Sequence, residues 1–376
     1  MRASLLILVY LLAAAPAVAA EPVRESRGIW LDKAQIVEGR EKLAARLDRL
    51  RGAGFNTIYV ATQIRGAVIY PGSAILPQYE PVRTSDPEIL PWLLEAIRSR
   101  GMRSEAWTEF GFYAYWTPDA TKDSSKGAIL DKHPELAALD REGKPLIHNP
   151  QWGDFYALCP ANPKSQDILL DLYLETLGKY PFDGLHLDRV RFPDESFCHC
   201  GYCREHFEKD TGVALKIAAA ADVSDAQKKT LDQWRKQQTC AFVERVSKAV
   251  RERFPNRQVT SAVVPPYMID AKGQDWPVWV ERHWVDSVSV MLYAEDITEA
   301  LARIRERLPA DAPVYAGLDA AGGADRLIKQ IEQARRDRFP GVTVWYSGIV
   351  DPVLDKLHAE VFSSIPADSP RQGGAP

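Results

Sequence analysis

The sequence predicts an α/β fold of the (β/α)8 type, and three observations predict it. Short apolar runs alternate with amphipathic helical stretches along the whole chain. Eight such pairs fit into about 340 residues, the ordinary size of this barrel. Acidic and aromatic residues recur at the carboxyl ends of the apolar runs, where barrels carry their chemistry. The competing architecture is an open doubly wound sheet. It is weakened by Leu31-Asp32-Lys33-Ala34, which stands after the first strand where a glycine-rich phosphate turn belongs.

Taken in order, Arg27-Gly28-Ile29-Trp30-Leu31-Asp32 reads as the first strand. Arg40 to Ala53 is helical, with Leu43, Leu47 and Leu50 on one face and Gly54 as its C-terminal cap. Asn56 to Ala61 forms the second strand, Pro87 to Arg100 the second helix, and Arg103 to Trp107 the third strand. A Pro- and Gly-rich excursion from Phe110 to Pro163 follows, a loop long enough to be functional. Lys164 to Lys179 is helical, and the fourth strand ends at Asp188. A helical region reaches about Arg253. The remaining strands are expected at Val259–Val264, Ser287–Tyr293, Val314–Leu318 and Val342–Tyr346, and helices at Thr298–Arg307, Ala324–Arg338 and Pro352–Phe362.

Residues 1–20 read as a signal peptide: Arg2, an apolar run from Leu5 to Val18, and small residues Ala17-Val18-Ala19-Ala20 for cleavage. That run is short for a membrane span. The expectation is a soluble exported protein, periplasmic, with a barrel over residues 24–365 and a disordered tail over 366–376. Hydrophobic residues make up 46% and charged residues 26%. The net charge of −4 argues against nucleic acid as a partner, since phosphate binding needs a concentrated basic face. Ten Trp and fourteen Tyr supply flat faces for sugar rings, although core packing uses many of them.

The strand ends nominate the site. Asp188 closes the alternating strand Leu185-His186-Leu187-Asp188 and should project into the mouth, whereas Asp183 at the other end serves a turn. Glycoside hydrolysis needs two carboxyls across the scissile bond. The second is Glu109, whose neighbour Trp107 would raise its pKa, or Glu295 or Asp296 after the sixth strand. Asp32, Gln63, Arg65, Trp107, His186, Arg191, Tyr293 and Trp345 are expected to bind substrate. His186 is either a packed interior residue or a hydrogen-bond partner that orients Asp188; the latter is slightly preferred.

Cys159 and the run Phe197-Cys198-His199-Cys200-Gly201-Tyr202-Cys203 offer four ligands for a tetrahedral zinc site. Export would also permit two disulfides, but Cys-x-Cys is cramped for an internal bridge. A four-thiolate zinc has no open position, so the cofactor would be structural. Cys240 is expected to be a free thiol without a role.

Several runs together resemble the bacterial glycosyl-hydrolase-like family 10 of exported (β/α)8 proteins: Arg27-Gly28-Ile29-Trp30; Phe55 to Val60 with Gln63-Ile64-Arg65; Ala106-Trp107; Phe182 to Asp188 with Arg191-Phe192-Pro193; and Trp279 leading to Asp286 and Met291-Leu292-Tyr293. The resemblance implies an enzyme on cell-envelope glycans such as peptidoglycan strands, with the family's strand-four aspartate at Asp188. Locally, Cys159-Pro160-Ala161-Asn162-Pro163 and Cys198 to Phe207 are similar to the zinc-binding segment of family 42 beta-galactosidases. That similarity implies a structural zinc on the four cysteines. It does not extend to their catalytic Asn-Glu pair, because Asp188-Arg189 stands there. The chitinase signature is also incomplete, with Val190 at its glutamate position.

The leading expectation is therefore an exported glycoside hydrolase acting on a polysaccharide or oligosaccharide. The alternative is a barrel that binds carbohydrate without turnover. An envelope amidase or deacetylase is disfavoured, because no Ser-His-Asp set or His-rich catalytic cluster stands at the mouth.

Overall fold

The computed structural model describes residues 25–215 and 224–364. The expected signal peptide and tail lie outside these residues. Eight parallel strands close into a barrel: β1 (Ser26–Leu31), β2 (Thr57–Ala61), β3 (Arg103–Thr108), β4 (Gly184–Leu187), β5 (Gln258–Val263), β6 (Ser287–Met291), β7 (Val314–Asp319) and β8 (Gly341–Trp345). Each pairs with its neighbours in sequence, and β1 pairs with β8. This is the (β/α)8 fold the alternation predicts.

The helix Arg40–Ala53 buries Leu43, Leu47 and Leu50 and ends at Gly54 with φ +105°. Helices Ile89–Ser99, Pro163–Lys179, Asp225–Arg253, Thr298–Arg307 and Gly323–Arg336 fill the other main crossovers. The last helical stretch is heterogeneous: a 3₁₀ turn at Asp351–Val353, an α turn at Leu354–Leu357 and a π turn at His358–Phe362. Among the described residues no helix is long and apolar enough to cross a membrane.

Two features differ from the sequence reading. The sixth strand stops at Met291, so Tyr293 lies on the loop beyond it. The excursion is not irregular throughout, since Tyr113–Thr117, Leu146–Asn149 and Gly153–Ala157 form a three-stranded antiparallel sheet. Leu146–Asn149 and Gly153–Ala157 form a local hairpin, but Tyr113–Thr117 joins it from a distant part of the chain, so no local periodicity announces the sheet.

The barrel interior carries a polar chain among aromatic rings. Trp30 Nε1–H donates to His186 Nε2 at 3.1 Å, which leaves the ring proton on Nδ1, 2.7 Å from Thr260 Oγ1. Thr260 in turn donates to Glu105. His186 is fully buried and stacks on Tyr59, with ring centroids 3.9 Å apart. Burial pushes its pKa down to about 3, so the ring is neutral, and burial pushes Glu105 up to about 7.

Candidate active site and thiolate cluster

Asp188 follows β4 at the carboxyl end of the barrel, and 6% of it is exposed. Its Oδ2 accepts from Trp107 Nε1–H at 3.1 Å and its Oδ1 from the Arg189 amide at 2.6 Å. Glu109 follows β3 and is 7% exposed; its Oε2 is buried with no hydrogen-bond partner and lies 3.7 Å from Lys33 Nζ. Burial pushes both carboxyls above their usual range, and the charges of Asp32 and Asp188 raise Glu109 further. Lys33 and Arg189 pull Glu109 back down, and Arg191 and Arg189 do so for Asp188. The two acids are therefore both buried at the carboxyl end of the barrel, within electrostatic reach of Arg189, and the Asp188 charge acts on Glu109.

Asp32 lies beside them. It caps the turn Lys33–Ile36 through Ala34 N–H and accepts from Lys33 Nζ at 2.8 Å. Arg191 is half-buried, and its Nε and Nη1 have no protein partner. Trp345 is partly exposed at the end of β8, with Tyr293 at 6.3 Å and Trp107 at 5.8 Å between ring centroids.

The remaining expectations are placed differently. Trp107, expected to bind substrate, is fully buried, and its indole N–H donates to Asp188. His186 is the packed interior residue of its two readings: both ring nitrogens are taken by Trp30 and Thr260, and neither reaches Asp188. Gln63 is buried and donates to Gly111 O at 3.1 Å, bracing a loop. Arg65 lies over the Trp116 ring at 3.6 Å. The Glu295 side chain is 83% exposed and pairs with Arg326, while Asp296 caps the helix Thr298–Arg307 through Thr298 N–H and Oγ1. The structure does not bring either of these last two carboxylates to Asp188. Lys33 and Arg189 were missed. Lys33 adjoins Asp32 in sequence, but nothing local reveals that it reaches Glu109.

Gly111 explains how closely these loops approach. Its φ is +47°, and a Cβ there would lie 2.0 Å from the Asp188 carbonyl oxygen. Gly111→Ala should therefore destabilise the protein by roughly 3 kcal/mol, combining overpacking with a left-handed backbone, and should displace Asp188. Urea denaturation checks this; an unchanged midpoint would contradict the packing argument.

Cys159, Cys198, Cys200 and Cys203 are all buried, and their sulfurs lie within 4.8 Å of one another. Cys159 Sγ and Cys203 Sγ are 3.4 Å apart, and all four thiols are free of disulfide bonds. The Leu139 amide donates to Cys198 Sγ at 3.4 Å, and Arg235, fully buried, supplies positive charge toward Cys203 and Cys198. The cluster fits a metal ion by both donor chemistry and spacing. His199 is buried beside it but stands outside the four-sulfur group. Cys240, away from the cluster, accepts from Trp279 Nε1–H at 3.2 Å.

Comparison with known proteins agrees with this picture. The family profile described as "Glycosyl hydrolase-like 10" matches residues 25–312. Glycosyl hydrolase DigH of Escherichia coli K12 is 23% identical over 323 residues, covering 74% of this chain and 67% of that protein. The glycoside hydrolase domain of PgaB (BpsB) from Bordetella bronchiseptica superposes with a TM-score of 0.69 over 89% of this chain and 98% of that one, at 14% identity. A family 42 beta-galactosidase from G. stearothermophilus gives a TM-score of 0.62 at 14% identity, over 92% and 57%. At such identities the structural likeness is one of fold.

Proposed function

The chain belongs to the glycosyl hydrolase-like 10 family, and from that premise we propose that it is an exported glycoside hydrolase cleaving a polysaccharide. Glycan strands of the cell envelope, such as peptidoglycan, are the substrate class that the family resemblance suggests. One observation carries the reading: two buried carboxyls, Asp188 and Glu109, stand past adjacent strand ends within electrostatic reach of each other, and the partly exposed rings of Trp345 and Tyr293 lie at the same end of the barrel.

Hydrogen bonding divides their roles. Asp188 accepts N–H donors on both oxygens, which favours its ionised form. Glu109 keeps one oxygen without a hydrogen-bond partner, which suits a carboxylic acid that gives its proton to the leaving glycosidic oxygen. As the bond from the anomeric carbon to that oxygen breaks, the Asp188 carboxylate stabilises the positive charge growing on the anomeric carbon. Water supplies the hydroxyl that ends on the anomeric carbon, and its remaining proton restores the acid. Trp345 and Tyr293 support the sugar ring, while Asp32 and Arg191 hold its hydroxyls.

We further propose that the cysteine cluster holds zinc. Tetrahedral thiolates around zinc at the usual bond length stand about 3.8 Å apart, compatible with the observed spread. Such a site is closed, so its contribution is to tie the excursion to the β4 loop.

The test is incubation of the protein with purified peptidoglycan and with chito-, gluco- and galacto-oligosaccharides, scoring new reducing ends. Glycan binding without any product would instead favour a carbohydrate-binding barrel. A second expectation concerns pH. Lys33 lowers the Glu109 pKa, so Lys33→Met should raise it and move the alkaline limb of kcat/KM to higher pH. A limb that stays put or moves down would remove Glu109 from the acid role.

A further inference from the structure

Among the described residues only three large hydrophobic side chains are exposed: Leu146, Tyr267 and Trp152, the last at 63%. Leaving an indole in water forgoes much of its burial energy, so a Trp whose backbone is hydrogen-bonded in place with its ring exposed calls for a reason. The backbone at Trp152 is held by hydrogen bonds. Asn149 Oδ1 accepts from both the Gln151 and Trp152 amides, and Trp116 Nε1–H donates to Trp152 O at 2.5 Å. Gly153, at φ +89°, seats the turn so tightly that a Cβ would lie 2.7 Å from Thr117 O.

The turn is also continuous with the mouth. In the excursion sheet Trp116 is paired with Phe155 and Phe155 with Ile147, so these side chains share one face. The Arg189 guanidinium lies 5.7 Å from the Phe155 ring and also acts on Glu109 and Asp188. Arg65 lies over the Trp116 ring. Trp152 is thus tied through its carbonyl to Trp116, Trp116 shares a sheet face with Phe155, and Arg189 connects Phe155 to the two acids, so these aromatic residues make a strip leading toward the mouth.

We propose that this strip is a remote binding ledge for the flanking sugar units of a polymeric glycan, with Trp152 stacking on a pyranose ring outside the cleavage point. Pyranose rings present flat C–H faces ringed by hydroxyls, which match an exposed indole whose turn carries the polar residues Asn149 and Gln151. The ledge would make the protein a reader of chain length, favouring long strands over disaccharides. The inference rests on the hydrolase reading of the mouth.

The test uses the full chain carrying Asp188→Asn, so that glycans stay uncut, titrated calorimetrically with peptide-free peptidoglycan strands, chitohexaose and chitobiose. Adding Trp152→Ala should weaken binding of the longer glycan bound by the parent about tenfold, leave any chitobiose affinity unchanged, and be largely rescued by Trp152→Phe. Equal affinity for long chains with and without the indole overturns the ledge, as does a parent that binds neither long probe. A parent that sediments as a dimer which Trp152→Ala splits, with titrations unaffected, also overturns it in favour of a second copy on this face. Hydrolysis is scored separately with Asp188 intact. Trp152-dependent binding without new reducing ends keeps the ledge and removes the hydrolase; new reducing ends with Trp152-independent binding do the reverse.

Discussion

Asp188→Asn is expected to lower hydrolysis of every glycan substrate by roughly a thousandfold or more, with the fold retained. Asparagine keeps the shape of the carboxylate and can still accept the Trp107 indole N–H, but it loses the negative charge that the transition state requires. Its amide group meets the Arg189 N–H as a second donor, so a cost of about 1 kcal/mol in stability is expected, too small to unfold the protein. Glu109→Gln should behave differently with leaving group. On natural glycans the loss should be about a hundredfold to ten-thousandfold, because the poor alkoxide leaving group needs its proton. On nitrophenyl glycosides, which leave without help, Glu109→Gln should retain much more activity while Asp188→Asn stays inactive. Initial rates on both substrate types, with thermal melting as a control for folding, decide the matter. Equal losses on both types for Glu109→Gln would argue against its acid role, and an active Asp188→Asn would end the two-carboxyl reading.

Removing the proposed metal is expected to have the larger effect on stability. The cluster sits in a small second core with Phe192, Phe197, Phe207 and Trp234, apart from the barrel core. Cys200→Ser would leave three buried thiols with no ion to organise them. A loss of about 4 kcal/mol is reasonable for a broken metal site in a folded host, and for a barrel of this size it corresponds to a fall of roughly 6 °C in Tm. Elemental analysis should find one zinc per chain before the substitution and much less after it. A protein with neither zinc nor free thiols among the four would mean disulfides. A fully stable but inactive Cys200→Ser protein would contradict a structural role, because the site has no open position for substrate.

Most of the barrel was legible because its signals are local. The leucines of Arg40–Ala53, the cap at Gly54 and the alternation through His186 and Asp188 each follow from a repeat of 3.6 or 2 residues. The cysteine spacing was legible for a similar reason, since three ligands fall within six residues. The carboxyl proposed to work with Asp188 was not. Glu109, Glu295 and Asp296 all stand just past strand ends, and sequence offers each the same access to the mouth. The fold separates them through Arg326, which pairs with Glu295, and through burial beside Lys33, which leaves Glu109 Oε2 without a hydrogen-bond partner; Asp296 is taken up locally by Thr298.

By itself, the sequence determined the class of fold, the strand bearing Asp188 and the four thiols brought together, because periodicity and short spacing survive any arrangement of the loops. Only the tertiary structure decided that Trp107 and His186 lie beneath the site, that Lys33 reaches Glu109, and that Trp152 stands in water at the end of an aromatic strip. Those outcomes depend on how the closed barrel sets its registers and how the long excursion folds back over the mouth. Burial, and with it the charge state of an acid, is a property of the assembled neighbours and not of the residue or its flanking chain.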